Sequence, residues 1–496
     1  MSRSVRAAAV LAVLLIPASP VVAQFSALSR TEVQSGNTPF TEPGSLTTLF
    51  EQLNLRFDAG SVRVSGRLES FLTHREERRY TRLAQARVTA RLGGFDATVG
   101  HFYDILGRGL LLRGFEIPGA TYEDAAFRVR QSFQRDIEGA TIAYRNGPIA
   151  LRVLRGKPLL AVLPPTRPRE ERRPDLVTAG SGSVRFGPLE VGGNLLRNEA
   201  AIGQQDFGSV SGRLRAGGAS GYVEYATQRG GETLSPDKAR ALYAALTYGR
   251  AGGGGSLEYK DYQNFFLGSG FNDPPSLVRE HSWVVLNRST HVLNAVNETG
   301  FQVELYTVLP KGTLTLNTTR AVNEFGESLV YKEYYAEFAS VPLGEWSGRA
   351  FVDAAEDPLK GESARRAAGF YLDRKLAGPW SVSTTLEGQR FTRDFLEDGD
   401  ATNFVVGVTA SRSTRYSAGL VWERSTDAFL TDDPRTAEIE TSARQWLGVN
   451  LGWRPNRQHT LGLFVGTRRG GPACTSGICY EVLDFEGAEL RVTSRF

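Results

Sequence analysis

Charged and polar residues, many of them arginine, recur at every second position in several stretches of this chain, with apolar or small residues in between. In residues 62–69, Arg63 and Arg67 alternate with Val62, Val64 and Gly66. Successive side chains of a β-strand point to opposite faces, so these arginines would share one wet face. The residues assigned to that face are Arg63, Arg67, Arg87, Arg91, Arg213, Arg215, Arg349, Arg491 and Arg495, with Glu69, Glu387 and Glu489. Two interpretations stay open: opposite charges on adjacent strands neutralise one another, or surplus arginine favours anions in a pore.

Two longer segments interrupt this alternation and mix aromatic, arginine and small residues. We call residues 104–136 the first long segment and residues 265–300 the second long segment. Connections of this length without strand pattern tend to be functional or disordered, and the composition favours ordered loops that fold into a barrel lumen and narrow it. The candidate constriction residues are Arg108 and Arg113 in the first long segment and Arg279, Glu280, His281, Asn287 and Arg288 in the second.

The two cysteines, Cys474 and Cys479, are the only ones in the chain. A disulfide at the tip of a hairpin is the favoured interpretation, because an exported chain folds in an oxidising compartment. A metal site would require two more ligands, and the sequence around the pair supplies none.

No catalytic or cofactor motif stands out among the remaining polar residues. Glu280, His281 and Ser282 are adjacent, so they cannot all face each other in an extended chain. The glycine run at residues 252–255 lacks the Lys-Ser or Lys-Thr ending of a phosphate-binding loop. The sequence therefore predicts no enzyme, no cofactor and no metal.

The elements that position these residues are strands with a period of two. The closing stretch covers residues 488–496. Its apolar residues Leu490, Val492 and Phe496 lie at even positions, whereas Glu489 and Arg491 lie at odd positions. Such alternation is typical of membrane-barrel strands. A terminal aromatic residue resembles the closing strand that the outer-membrane insertion machinery recognises, so Phe496 is the candidate assembly signal.

Turn signals divide the chain regularly. Tight turns rich in Gly, Pro, Asn and Asp lie near residues 58–60, 93–94, 146–147, 187–188, 217–218, 252–255, 310–312, 342–344, 376–378, 413–414 and 455–456. Longer polar connections lie between them, and short periplasmic turns with long extracellular loops characterise bacterial barrels. The sequence predicts an all-β fold: a transmembrane antiparallel β-barrel of about 22 to 24 strands, with two long loops folding into the lumen.

The chain begins with a pattern typical of a secretory signal peptide. Arg3 and Arg6 precede an apolar stretch, and small residues up to Ala23 offer a cleavage site. The predicted division is therefore residues 1–23 as signal peptide, 24–50 as an N-terminal segment or the first strands, and 51–496 as the barrel. No stretch approaches the roughly 20 apolar residues of a spanning helix, and the predicted location is the bacterial outer membrane.

The two long segments carry a resemblance. Gly107-Arg108-Gly109-Leu110, together with Asn272-Asp273-Pro274-Pro275 leading into Arg279-Glu280-His281 and Asn287-Arg288, resembles a family of uncharacterised porin-like outer-membrane barrels. The likeness extends over most of the chain after the signal peptide. It implies the fold and the location but no substrate.

These features predict a passive porin-like channel for small hydrophilic solutes, which surplus arginine would make weakly anion-favouring. Only residues 24–50 precede the strand pattern, which disfavours energy-coupled uptake through a plugged barrel. The alternative is a structural or secretion-partner barrel whose lumen is sealed by its loops. The expected partners are outer-membrane lipids, the barrel-assembly machinery and small solutes. The net charge of +4 includes Arg3 and Arg6, so nucleic acid is not expected, and the oligomeric state stays open.

Overall fold

The structure is a computed structural model. It describes residues 23–37, 45–123, 128–160, 171–172, 175–200, 203–231, 239–265, 272, 274–292, 297–325, 327–396, 399–428, 443–475 and 478–496. Side chains at 160, 171–172, 231, 325, 472–475 and 478–481 lie outside this description.

The described residues form almost entirely β-structure. The strands are β1 (Gln24–Asn37), β2 (Leu46–Ala59), β3 (Val62–Thr73), β4 (Tyr80–Leu92), β5 (Phe95–Phe102), β6 (Ile105–Leu106), β7 (Leu112–Arg113), β8 (Phe115–Glu123), β9 (Arg130–Arg135), β10 (Ile137–Asn146), β11 (Ile149–Leu160), β12 (Glu171–Arg172), β13 (Leu176–Phe186), β14 (Leu189–Ala200), β15 (Gly203–Ala216), β16 (Ala219–Gly231), β17 (Arg240–Arg250), β18 (Gly253–Gln263), β19 (Asn297–Leu309), β20 (Gly312–Phe325), β21 (Glu327–Ser340), β22 (Trp346–Asp357), β23 (Glu362–Lys375), β24 (Trp380–Arg393), β25 (Asp400–Arg412), β26 (Tyr416–Ser425), β27 (Arg444–Trp453), β28 (His459–Arg468), β29 (Gly471–Thr475), β30 (Ile478–Val482) and β31 (Phe485–Arg495).

One antiparallel sheet closes on itself to make a barrel. The hydrogen-bonded sheet contains 25 strands, but β12 pairs only with the outer end of β11. The remaining 24 strands form the wall, and β31 pairs with β1 to close it, with Leu28 opposite Arg495. Strands β6 with β7, β8 with β9, and β29 with β30 form separate hairpins. The predicted antiparallel barrel and its upper strand count are confirmed.

The outer face of the wall is apolar. Val153, Leu195, Val210 and Val352 are each more than half exposed on strands whose alternate residues point inward. A closed barrel leaves no unpaired strand edge, and an apolar outer band is what lipid requires. The protein is an outer-membrane β-barrel.

Most tight turns lie where the sequence predicts them, on the side that also holds both ends of the wall, Gln24 and Phe496. This is the periplasmic side by the rule that bacterial barrels keep their turns short there. Of the glycine run at 252–255, residues 253–255 belong to β18. Two connections on the opposite, extracellular side are also tight, because β14 ends at Ala200 and β15 begins at Gly203, and β20 and β21 flank residue 326.

Residues 24–37 form a complete strand and residues 46–59 the next, so the barrel wall starts at Gln24. A short helix, Val284–Arg288, lies in the second long segment, and 3-10 turns cover Glu76–Arg78 and Pro358–Lys360. Across the described ranges, no helix has the length and apolar character to cross a membrane.

The size of the wall makes the inner segments necessary for any selective pore. A ring of 24 strands, spaced about 4.8 Å apart and tilted by about 40°, is roughly 50 Å across between opposing backbones. An empty ring of that width would pass folded proteins. The segments inside the ring therefore decide how much of its cross-section stays open.

Candidate functional site: the lumen and its two inner segments

The inward side chains are buried towards the extracellular side and exposed towards the periplasm. On β2, Thr48, Phe50 and Gln52 are buried, whereas Arg56 near the periplasmic turn is exposed. Strand β15 shows the same gradient, from buried Gln205, Phe207 and Ser209 to exposed Arg215. Protein therefore fills the extracellular half of the lumen at these strands. We call the wet periplasmic half the vestibule.

The first part of the first long segment packs against the wall from β11 to β18. Leu110, Leu111 and Leu112 are buried in a cluster with inward residues such as Leu196 and Tyr262. The turn before them sits on Glu224, whose Oε2 accepts a hydrogen bond from the Arg108 backbone N at 2.9 Å. A Cβ at position 107 would lie 2.0 Å from Glu224 Oε1, and Gly107 has a φ of +62°, so only glycine suits this turn.

The rest of the first long segment is the hairpin of β8 and β9, which packs against the opposite wall. Val129 packs with Phe50 and Phe71 of β2 and β3. Arg67 Nη2 lies 2.5 Å from Glu116 Oε1, and Arg67 Nη1 donates to Gln134 Oε1 at 2.6 Å. The hairpin is thus attached to the wall by both apolar and ionic contacts.

A second ionic cluster joins this hairpin to the strands that close the barrel. Arg130 of β9 pairs with Glu32 of β1 and lies 3.6 Å from Glu489 of β31. Arg468 of β28 donates to the same Glu489 at 2.9 Å. The seam between the first and last strands is therefore bridged from inside by the hairpin.

The second long segment crosses the inner wall from β19, where Arg279 pairs with Glu304, to β26, where Arg288 pairs with Glu423, with Trp283 between them. The Trp283 side chain is buried, and its Nε1 donates to the Tyr335 hydroxyl and to Glu337 Oε2, both at 2.9 Å. Its ring lies 4.5 Å from that of Phe351, and the Arg349 guanidinium lies 4.5 Å from the centre of the Trp283 ring. Val285 and Leu286, which follow Trp283 in the chain, are buried in the same cluster with residues of the wall.

Buried ion pairs hold the same segment on both sides of Trp283. His281 Nε2 lies 3.2 Å from Glu333 Oε1, and Arg365 donates to Glu333 at 2.9 Å, to the Ser289 carbonyl at 2.9 Å and to Asp353 at 3.1 Å. Buried charges are tolerated only when they are paired. The Ser289 carbonyl of the segment therefore helps to compensate the buried charge of the Arg365 guanidinium.

Polar contacts join the ends of the segment to the wall and to the first long segment. Asn272 Nδ2 donates to the Leu110 carbonyl at 3.0 Å, and Arg288 pairs with both oxygens of Glu423. Arg288 Nη2 also donates to the Arg469 carbonyl at 3.3 Å. The two long segments thus contact each other inside the barrel.

The predicted lumen arginines lie on the inner wall, and most have a carboxylate neighbour. The pairs are Arg63 with Asp58 at 2.6 Å, Arg67 with Glu116 at 2.5 Å, Arg91 with Asp96 at 2.8 Å, Arg213 with Glu190 at 4.0 Å, and Arg491 with Glu489 at 2.8 Å. Arg87 Nε donates to Ser65 Oγ at 3.0 Å, Arg349 donates to Ser282 Oγ at 2.8 Å, and Arg215 is exposed. Charge neutralisation is therefore extensive but incomplete.

The candidate constriction residues are not brought to one point. Arg108 lies over the Tyr222 ring at 5.1 Å on one side of the lumen, whereas Arg279 lies over Tyr335 at 4.8 Å on the other. Asn287 donates to the His281 carbonyl at 3.1 Å. Arg113 is half-buried in β7, and Glu280 is exposed.

Sequence reasoning missed the wall carboxylates and cations that fix the second long segment. Glu333, Arg365, Glu298 and Lys260 face inward and are fully buried. Their parity was readable from the sequence, but their partners lie on other strands or in the long segments. The signal that could have revealed them is that charged residues occupy positions of these strands whose side chains face the lumen.

The imidazole of His291 gives this anchoring a dependence on pH. Burial lowers the pKa of His291, but the hydrogen bond of Nδ1 with Asp357 at 2.9 Å and the charge of Glu298 outweigh it, so the pKa is raised. The Tyr331 ring stacks on His291 at 4.3 Å, and Lys260 pairs with the same Glu298. Because the pKa of His291 is raised on folding, protonated His291 stabilises the folded protein. This stabilisation is complete at pH values below the pKa of about 6.5 in the unfolded chain, and it is lost as the pH rises through the pKa in the folded protein.

We therefore expect the second long segment to loosen on the alkaline side of the His291 pKa. Limited proteolysis of the folded barrel should cut the segment faster as pH rises from below about 6.5. In His291→Gln, which cannot titrate, the cutting rate relative to a loop outside the lumen should stay constant over the same range. An equal rise in both proteins would exclude His291 as the cause.

The cysteines face each other in the backbone register of the β29–β30 hairpin, where Cys474 is the partner of Cys479. Their side chains lie outside the described residues, so the disulfide stays a prediction. Directly opposed residues of an antiparallel pair are close enough for a bridge. Protein from cells should resist thiol labelling until a reductant is added, and ready labelling without reductant would contradict the bridge.

Among the described side chains, no group of three or more His, Cys, Asp or Glu could hold a metal ion. The inner wall presents paired and unpaired cations, hydroxyls and amides instead. Such groups can bind and orient polar or anionic solutes.

Comparison with known proteins yields likenesses of fold. No protein-family model matches the chain, and no curated protein matches its sequence. The structure of the P pilus usher (PapC) translocation pore is similar with a TM-score of 0.48 and 10% identity, over 95% of this chain and 99% of that one. The structure of Pseudomonas aeruginosa OccK2 (OpdF) in complex with glucuronate is similar with a TM-score of 0.38 and 13% identity, over 79% of this chain and 97% of that one. The structure of a BenF-like porin from Pseudomonas fluorescens Pf-5 is similar with a TM-score of 0.36 and 9% identity, over 96% of this chain and 98% of that one. At such identities the likeness assigns no substrate to this chain.

Proposed function

We propose that this outer-membrane barrel is a porin-like channel for the passive diffusion of small hydrophilic solutes, with a weak preference for anions. The vestibule is the observation that carries the proposal. It is wet and open to the periplasm, inward arginines such as Arg56 and Arg215 are exposed in it, and the long segments above it reduce an otherwise very wide ring. A constriction over a charged vestibule selects solutes by size and by sign of charge.

The anion preference follows from which vestibule cations have partners. Arg63 pairs with Asp58, and Arg91 pairs with Asp96. The charges within each pair largely cancel, so these arginines attract anions only weakly. Arg215 is exposed without a carboxylate within salt-bridge distance among the described residues. Exposed cations that line a cleft raise the local concentration of anions.

A loop-sealed structural barrel is the second candidate. The burial of inward side chains in the extracellular half, seen on strands as far apart as β2 and β24, favours it. A barrel hydrolase is a weaker alternative, since the buried histidines His281 and His291 are bonded to wall carboxylates.

Reversal potentials test the preference for anions. With KCl at two concentrations across a planar bilayer, the current through the barrel should reverse at the sign set by chloride. Liposomes containing the barrel should also swell in small neutral sugars. A reversal at the potassium sign would contradict anion preference, and impermeability to every small solute would favour the sealed barrel.

A further inference from the structure

A cavity of about 410 Å³ lies in the vestibule beneath the β8–β9 hairpin. The inward side chains of Arg56, Arg67, Arg87 and Arg495 line it, together with Glu116 from the hairpin. Its volume is within the range of about 300 to 1,000 Å³ that small-molecule sites occupy. Four guanidinium groups thus surround a space with one side-chain carboxylate, that of Glu116, in its lining.

Two of these guanidinium groups are occupied and two are available. Arg56 Nε lies 2.5 Å from Asp58, and Arg67 lies 2.5 Å from Glu116. Arg87 has the Ser65 hydroxyl as its hydrogen-bond partner. Within the part of the chain that the structure describes, no carboxylate lies within 4.0 Å of the charged nitrogens of Arg87 or Arg495. Like charges so placed repel one another, and an anion between them would relieve that repulsion.

Glu116 indicates which anion suits this cavity. Its Oε1 accepts a hydrogen bond from Arg67, and its Oε2 accepts one from the Tyr103 hydroxyl at 3.0 Å. A carboxylate is therefore already accommodated in the wall of the cavity. The planar guanidinium fork matches a carboxylate with two parallel hydrogen bonds. Leu28 adds an apolar surface beside these groups.

We propose that this cavity is a binding site for a small carboxylate anion, held by Arg87 and Arg495. Two unpaired cations best suit a short dicarboxylate, and the cavity opens to the vestibule through which such a solute would pass. The role of the site in permeation rests on the proposed channel function, whereas its chemistry rests on the cavity alone.

Calorimetric titration of the folded barrel in detergent tests the site independently of transport. Succinate should bind more tightly than propionate, and neutral succinamide should not bind. The double variant Arg87→Gln, Arg495→Gln should weaken succinate binding by at least about tenfold, the loss that follows removal of charge-assisted hydrogen bonds. Arg185→Gln, on the inner wall of β13 and outside the cavity, should bind succinate as the unchanged protein does.

The outcomes separate the site from the channel. Binding of succinate by a barrel that never conducts would leave the site standing and remove the channel. Conduction without succinate binding, or equal binding by the double variant, would overturn the site alone. Binding of inorganic phosphate as tight as that of succinate would overturn the carboxylate assignment.

Discussion

Replacing residues 272–291 with a short Gly-Ser linker is expected to raise single-channel conductance while the barrel still assembles. The segment covers the inner wall from β19 to β26, and its centre, Trp283, fills space against Tyr335 and Phe351. Because the bare ring is roughly 50 Å across, removing one of two inner segments should increase conductance by about twofold or more. Planar-bilayer recordings measure the change.

Assembly should survive because the wall does not need the segment for its register. Gln263 pairs directly with Asn297 across the β18–β19 hairpin, so a few residues can connect the strands. Glu333, Arg365 and Asp353 remain bonded to one another and gain water in the wider lumen. The matched control replaces residues 74–77, which are exposed between β3 and β4, and its conductance should be unchanged. Unchanged conductance in a folded 272–291 variant would move the constriction to residues 104–136.

Deleting Phe496 is expected to lower the amount of folded barrel in the outer membrane sharply. The residue lies at the seam of the wall, where its backbone N donates to the Ala27 carbonyl at 2.9 Å and its carbonyl accepts from Ala27 N at 3.0 Å. Its side chain is 66% exposed on the apolar face, with the His459 ring 5.9 Å away. An aromatic side chain at this level matches the girdle that anchors barrels at the membrane interface.

Two substitutions separate the side chain from the backbone pairing. Phe496→Gly keeps both hydrogen bonds to Ala27 but removes the ring, whereas Phe496→Tyr keeps the ring. If the aromatic side chain is the assembly signal, the glycine variant should assemble as poorly as the deletion and the tyrosine variant nearly normally. Heat-modifiable protein on gels reports the folded fraction. Normal assembly of the deletion would contradict the role of Phe496.

The wall of this barrel was predictable because its signal is local. Alternation in stretches such as residues 62–69 fixes which side chains face lipid, and Gly, Pro and Asn mark the turns. The two tight extracellular hairpins were not predicted. Ala201 and Ile202 are poor turn formers. Residue 326, by contrast, is a glycine, a turn signal that the prediction overlooked. Strand number was predicted only as a range for the same reason.

The interior was predictable only in part, because its contacts join residues far apart in the chain. The length and mixed composition of the second long segment predicted that it folds into the lumen, and Trp283 lies buried against the wall. That Arg365 and Glu333 would hold the segment depends on strands that meet only in the folded barrel. Nor does alternation distinguish Arg91, which faces Asp96, from Arg87, which has a hydroxyl partner.

Single-channel recording of the purified, unaltered barrel tests the channel proposal most directly. In a planar bilayer with KCl on both sides, the proposal predicts discrete conductance steps that are smaller than those of the 272–291 replacement. A barrel that is folded by its heat-modifiable migration yet stays silent, while the replacement conducts, would contradict the channel and identify a lumen sealed by its own segments.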